Sequence, residues 1–354
     1  MKNKILVIIF VAYIGIFSIL CILIPDKEII NSEWRKLKTF PEFEFNSEWI
    51  SEVDGYLLDH FVLRDEFRSI KALYNFKVLG QLDNNGIYLK DNYIFKSNYP
   101  TNKDSVHNFM EKIHKLSGSF TKDNNVYMMI IPDKNYYLES DDFLGIDYDY
   151  IYKEVNKLGF RNIELRDVLE LSDYYETDTH WRQEKLDKVV NRMNDSLDFN
   201  YEKTKYKENK YNKFYGVYYG ESAINRNPEE LVYLTNDVFD NVTVKYLESD
   251  KLTGIYNVDK LDGMDSYDVY LDGASSFIEI TNNSSITDKE LVIFRDSFGS
   301  SLSPLLVKYY EKITLIDNRY ISSGNFKDLI EFNNQDILFM YSTLFINDSS
   351  SLKG

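Results

Sequence analysis

Four short, nearly uninterrupted apolar runs constrain this chain most: residues 126–131, 291–294, 313–316 and 337–341. Each has the length of a strand, and their apolar character suits strands covered on both faces. Between them lie helix-like stretches at 105–116, 150–158, 182–197 and 300–310, with a short strand candidate at 162–165. Apolar runs alternating with amphipathic helices predict an α/β fold, a mainly parallel sheet flanked by helices.

The 354 residues suffice for one large or two modest domains, and at 44% hydrophobic they can fill a sizeable core. Residues 86–95 read as a hairpin turning at Lys90-Asp91-Asn92, and residues around Asp59-His60-Phe61 as amphipathic helices. Residues 200–285 break the αβ rhythm. They are rich in Tyr, Asn and Asp, with strand-like pieces at 231–234, 242–247 and 277–280. We read them as a β-rich insertion rising over the sheet edge, either a lid or a structural elaboration.

Residues 5–24 carry no charge over about 30 Å of helix, the thickness of a bilayer core. Lys2 and Lys4 precede the run and Asp26, Lys27 and Glu28 follow, which places the short N-terminal end in the cytoplasm. No small-x-small cleavage site closes the run, and Leu20 before Cys21 is wrong for a lipoprotein signal. The expected organisation is a cytoplasmic tip (1–4), a transmembrane anchor (5–24), a stalk (25–48) and an extracytoplasmic domain (49–348) at the cell membrane.

A net charge of −16 argues against a nucleic-acid partner or an anionic lipid surface. Cys21 is the only cysteine, so no internal disulfide forms. With His60, His107, His114 and His180 it makes no zinc-finger spacing, and no glycine-rich phosphate loop is present; no metal or cofactor is expected. The 29 Tyr suit a glycan-facing surface, and equally a biased composition.

Two peptides carry the chemistry: Thr177-Asp178-Thr179-His180-Trp181 and Arg295-Asp296-Ser297-Phe298-Gly299. Ser297 follows a strand and precedes a helix, where ligands gather in parallel α/β folds and backbone amides can face an oxyanion. In an extended segment Asp178 and His180 project to one side, so the carboxylate could hold Nδ1–H and leave Nε2 as a base. Capping explains each peptide separately, because Asp, Ser and Thr are favoured at helix starts.

In order and spacing these segments resemble the DHHW family and the alginate O-acetyltransferase proteins of the SGNH-hydrolase-like superfamily. The resemblance also takes in Glu33-Trp34-Arg35-Lys36-Leu37 with Phe40-Pro41, Asp59-His60-Phe61 with Leu63-Arg64-Asp65, residues 126–132 with Lys134, and Asp317-Asn318-Arg319-Tyr320. It implies an SGNH-like catalytic domain in which Ser297 is the nucleophile, His180 the base and Asp178 its orienting partner. Gly273 is an oxyanion candidate, and Arg295, Arg319 and Tyr320 are candidates to touch substrate. Arg295 departs from the Gly more common before Asp-Ser in the alginate proteins. The implied activity is O-acetylation of a cell-surface or secreted polysaccharide through an acyl-serine, with a multispanning membrane O-acyltransferase supplying the acyl group. A carbohydrate acetylesterase with the same three residues, or an inactive glycan-binding or assembly protein, are the alternatives.

Overall fold

The computed structural model describes residues 2–23, 29–30, 35–138, 142–326 and 329–353. Glu33, Trp34 and much of the expected stalk, including Asp26, Lys27 and Glu28, lie outside the described residues.

The chain forms two compact units. The first comprises residues 1–87 and 219–227. Its helices are α1 (Lys2–Leu23), α2 (Ser47–Asp59) and α3 (Arg64–Leu73), the last running into a π-helical turn at Tyr74–Val78. Helix α1 is long and apolar enough to cross a membrane, and its span Lys4–Cys21 is not buried. Asn46 caps α2 by accepting from Trp49 N (2.7 Å). Asp59 at its C-terminus takes the Arg35 guanidinium through both oxygens (2.7 and 2.5 Å), while His60 Nε2 donates to the Lys38 carbonyl (2.9 Å).

The second unit, residues 88–218 and 228–354, is built on an eight-stranded sheet. In chain order its strands are β1 (Asn125–Ile131), β2 (Arg161–Ile163), β3 (Val242–Tyr246), β4 (Ser249–Thr253), β5 (Phe277–Asn282), β6 (Glu290–Arg295), β7 (Lys312–Ile316) and β8 (Asp336–Ser342). Across the sheet the order is β4-β3-β5-β7-β6-β8-β1-β2. The five strands from β7 to β2 are parallel, with Phe294 opposite Ile316 and Phe339, and Ser342 opposite Ile131. Strands β5, β3 and β4 extend it antiparallel. This is the expected α/β architecture.

Alternation sorts the strand side chains into two cores. Met129, Ile131, Ile293, Leu315 and Met340 pack with Val189 and Met193 of α6 (Asp187–Leu197) and Leu302 and Leu306 of α7 (Gly299–Leu306). On the opposite face Met128, Ile130, Phe294, Phe339 and Tyr341 pack with Phe109 and Ile113 of α4 (Lys103–Ser117) and Ile151 of α5 (Tyr148–Val155). Burial on both faces is why these strands read as continuous apolar runs.

One expectation changes. Residues 242–282 are not an appendage over the sheet edge: β5 pairs with β7 in register, Phe277 opposite Ile316, so this stretch completes the sheet. Lys207–Phe214 and Glu229–Thr235 stand apart from it, as their own antiparallel pair. The hairpin over 86–95 forms as Ile87–Lys90 and Tyr93–Lys96, with Asp91 and Asn92 both at positive φ (47° and 68°), as a tight type I′ turn requires.

Candidate active site

The parallel strands β1, β6, β7 and β8 end along one edge of the sheet, and β6 delivers Asp296 and Ser297 there. Helix α7 has no side-chain cap; Asp296 instead pins the turn that leads into it. Its Oδ1 accepts from Phe298 N (3.1 Å) and its Oδ2 from Ser342 N at the end of β8 (2.8 Å). Ser297 is thereby left to turn its hydroxyl elsewhere. It is half-buried, while Asp296 and Phe298 beside it are buried.

Its hydroxyl meets His180 Nε2 at 2.7 Å. On the other side of the ring, His180 Nδ1 lies 2.6 Å from Asp178 Oδ1. Nδ1–H donates to the carboxylate in the tautomer that leaves Nε2 to accept from Ser297. The structure therefore brings Ser297, His180 and Asp178 into one hydrogen-bonded line.

Asp178 and His180 do share a side, but not because their segment is extended. Residues 176–180 form a tight loop closed by the bridge between Tyr174 and Trp181. Inside it, Asp178 Oδ1 accepts from His180 N (2.9 Å) as well as from the ring, so one oxygen fixes both backbone and imidazole. Its Oδ2 accepts from Val217 N (2.9 Å). Burial opposes the charged carboxylate, but His180 and these amides outweigh it and hold Asp178 below its ordinary pKa. Arg182 at the start of the following 3₁₀ turn has no side-chain cap, so neither Asp178 nor Thr179 does that work.

Several side chains hold the loop. The Glu229 carboxylate accepts from Glu176 N (2.7 Å), Thr177 N (2.6 Å) and Arg182 Nη2 (2.7 Å). Lys134, buried just past β1, donates to the Tyr175 and Glu176 carbonyls (3.1 and 3.2 Å) among the rings of Tyr93, Phe95 and Tyr218. Trp181 Nε1 donates to Ser301 Oγ (2.9 Å), tying the His180 loop to α7. Tyr267 lies flat on the imidazole, its centroid 4.0 Å away and its plane 11° off, and donates its hydroxyl to Ser301 Oγ (2.7 Å). Burial and the nearby Asp178 charge push Asp265, which caps the Tyr267 turn, up to about 6.

The other expected residues are not brought to this line. Gly273 has φ +85° and its N–H already donates to the Tyr270 carbonyl (3.3 Å), so it is a turn residue and has no proton for an oxyanion. Ser297 N–H has no acceptor among the described residues, which makes it the better donor. Arg295 is 1% exposed; its Nη1 donates to Ser300 Oγ (2.8 Å) and the Asp296 carbonyl (3.3 Å), so it supports the turn from beneath and is closed to substrate. Arg319 grips Asp317 (Nε–Oδ1 2.9 Å, Nη2–Oδ2 2.6 Å) and lies over the rings of Tyr320 and Phe345. Tyr320 is exposed. Among the described residues neither hydrogen-bonds to Ser297, His180 or Asp178, and no group of His, Cys, Asp and Glu is arranged to hold a metal.

Tyr267, Glu229 and the Gly216-Val217 backing of Asp178 were not singled out from the sequence. They come from the Tyr-rich stretch that breaks the rhythm, and no spacing links them to the Asp-x-His peptide.

Comparison with solved structures finds this fold elsewhere. A DHHW family protein from Eubacterium siraeum superposes with a TM-score of 0.64 at 17% identity, covering 76% of this chain and 94% of that one. PatB1 of Bacillus cereus, in a structure with a sulfonyl adduct, gives 0.60 at 20%, covering 76% and 98%. A further PatB1 structure gives 0.56 at 18%, covering 77% and 98%. The neighbours thus include the family that the motifs resemble, and at these identities the likeness is one of fold. No family model and no curated protein matches the sequence.

Proposed function

We propose that this chain is a membrane-anchored, extracytoplasmic O-acetyltransferase that modifies a cell-surface or secreted polysaccharide through an acyl-serine. The observation that carries the reading is the unbroken line Ser297 Oγ–His180 Nε2 (2.7 Å) and His180 Nδ1–Asp178 Oδ1 (2.6 Å). Helix α1 supports the anchor, and Lys2 and Lys4 its orientation with the N-terminus inside.

In this mechanism His180 Nε2 takes the Ser297 proton as Oγ forms a bond to the acetyl carbonyl carbon. The oxyanion faces the Ser297 N–H near the N-terminus of α7. Collapse breaks the bond to the donor's leaving group, which departs with the proton from His180, and acetyl-Ser297 remains. A sugar hydroxyl then gives its proton to His180 and attacks the acetyl carbon, and collapse returns that proton to Ser297 Oγ. Asp178 keeps the ring oriented and stabilises the imidazolium in both halves. Such general acid–base help contributes about 10²–10⁴-fold.

The acceptor is a polysaccharide, and the acyl donor is supplied across the membrane by a multispanning O-acyltransferase. The motif resemblance supports both partners. The test gives the full-length protein in detergent an acetyl ester with and without oligosaccharide. Acetylated oligosaccharide, made by the wild type and not by Ser297→Ala, is the expected product. Free acetate alone at every acceptor concentration would assign the same residues to an acetylesterase.

A further inference from the structure

Helix α2 buries none of its residues and α3 buries only Ala72. Both nevertheless carry apolar stripes. Along α3 and the π turn, Leu63, Phe67, Ile70, Tyr74 and Val78 recur at spacings of three and four, and all are exposed (Ile70 63%, Val78 68%). On α2, Ile50, Leu57 and Leu58 are exposed as well (Leu58 61%). A stripe on a surface helix normally faces a core, and a contiguous exposed patch of this kind marks a contact surface.

Helix α1 indicates what covers it. The Phe17 ring stacks on Phe61 (centroids 5.8 Å apart, planes 2° apart) and lies 5.8 Å from Phe67. Phe17 precedes the helix end at Leu23 by six residues, about 9 Å along the axis. Where α1 crosses a bilayer, a ring at that position lies below the headgroups, and rings touching it share its depth. In-plane amphipathic helices sink about 5–10 Å into the headgroup–acyl boundary, which is the same depth.

We propose that α2, α3 and the π turn lie in the plane of the bilayer surface, with their apolar stripe in the headgroup–acyl boundary of the lipid. This rests on the membrane-anchor reading of α1. It gives the first unit a second, lateral attachment, held by acyl chains and not by anionic headgroups, in keeping with the chain's net charge of −16. Asp65 and Glu66 fall off the stripe and remain in water.

The test uses the full chain with Cys21→Ser, reconstituted in vesicles of phosphatidylcholine and free of other protein. Spin labels are attached at Leu58→Cys, Ile70→Cys and Val78→Cys, and for reference at His107→Cys on α4, whose native side chain is 74% exposed. Flotation with the vesicles reports the anchor; collision with oxygen against an aqueous nickel chelate reports the face. The oxygen-to-nickel ratio is expected to be several-fold higher at the three stripe positions than at the reference. Vesicle-bound protein whose stripe labels meet nickel as freely as the reference would overturn the in-plane reading and leave the anchor standing. Failure to float would remove the anchor, and this inference with it. Protection that appears only when a second membrane protein is added would assign the face to protein contact and likewise overturn it.

Discussion

The glycine behind Asp178 offers the sharpest perturbation. A Cβ on Gly216 would stand 2.4 Å from Asp178 Cβ, 2.4 Å from the Thr177 carbonyl oxygen and 2.5 Å from Asp178 Cα. Comfortable carbon contacts begin near 3.5 Å, so Gly216→Ala must drive the two segments about 1 Å apart. Most of what it meets is backbone, with no flexible side-chain end to give way. The contacts that cross between the segments are Val217 N–Asp178 Oδ2 (2.9 Å) and Gly216 N–Thr177 Oγ1 (3.0 Å). Lengthening them by about 1 Å takes both outside hydrogen-bond range, and the Asp178 carboxylate, no longer held from behind, is free to turn from the imidazole whose tautomer it locks. A misplacement of that size costs about 10²-fold in rate, and overpacking costs about 1–3 kcal/mol of stability. The assay is steady-state hydrolysis of p-nitrophenyl acetate alongside a thermal melt. We expect kcat to fall about 10²-fold with KM little changed. Gly254→Ala is the control, since a Cβ there meets nothing within 4 Å. A Gly216→Ala protein that melts cooperatively and keeps wild-type kcat would refute the claim that Asp178 must be held against His180.

Ser297→Ala and His180→Ala should each abolish turnover with little change in Tm, and Asp178→Asn should cut kcat by up to about 10⁴-fold, the loss known for this substitution in serine-protease triads; comparable turnover in all three, read by acetate release, would sink the assignment. Glu229→Ala should leave the Glu176 and Thr177 amides without an acceptor, at about 1–3 kcal/mol for each buried group, and a calorimetric Tm equal to wild type would contradict that support. Asp59 is lowered to about 2, chiefly by its hydrogen bonds to Arg35. Its folded-state value lies below the unfolded one, so its stabilisation is complete above about pH 4 and fades as pH falls toward 2. The difference in unfolding free energy between wild type and Asp59→Asn should therefore shrink across that window, and a pH-independent difference in acid melts would count against the ion pair.

How much could be read in advance follows from burial. Strands β1, β6, β7 and β8 are covered on both faces, so their sequences are apolar without alternation and stand out against the polar helix faces. Strands β3 and β5 were legible as strand-like pieces at 242–247 and 277–280, but Lys245 and Glu279 interrupt their apolar pattern, and nothing in it showed that they pair into the main sheet. The close approach of Asp178 and His180 was legible from two-residue spacing, although the loop achieves it through an oxygen shared between amide and ring. The capping that explains Asp296 and Ser297 in sequence is absent at α7; Asp296 fixes the turn and the Ser297 hydroxyl goes to His180. Tyr267 was hidden because stacking on an imidazole leaves no periodic trace in sequence. Arg295 and Gly273 looked functional by position only; burial in one case and an engaged amide in the other set them aside.

The most direct measurement is peptide mass spectrometry of the full-length protein, acid-quenched within the first turnover on an acetyl ester. The account predicts one added acetyl group on the peptide carrying Ser297, absent from Ser297→Ala and removed when oligosaccharide is added before the quench. An acetyl group on a different residue, or equal labelling of wild type and Ser297→Ala, would contradict it.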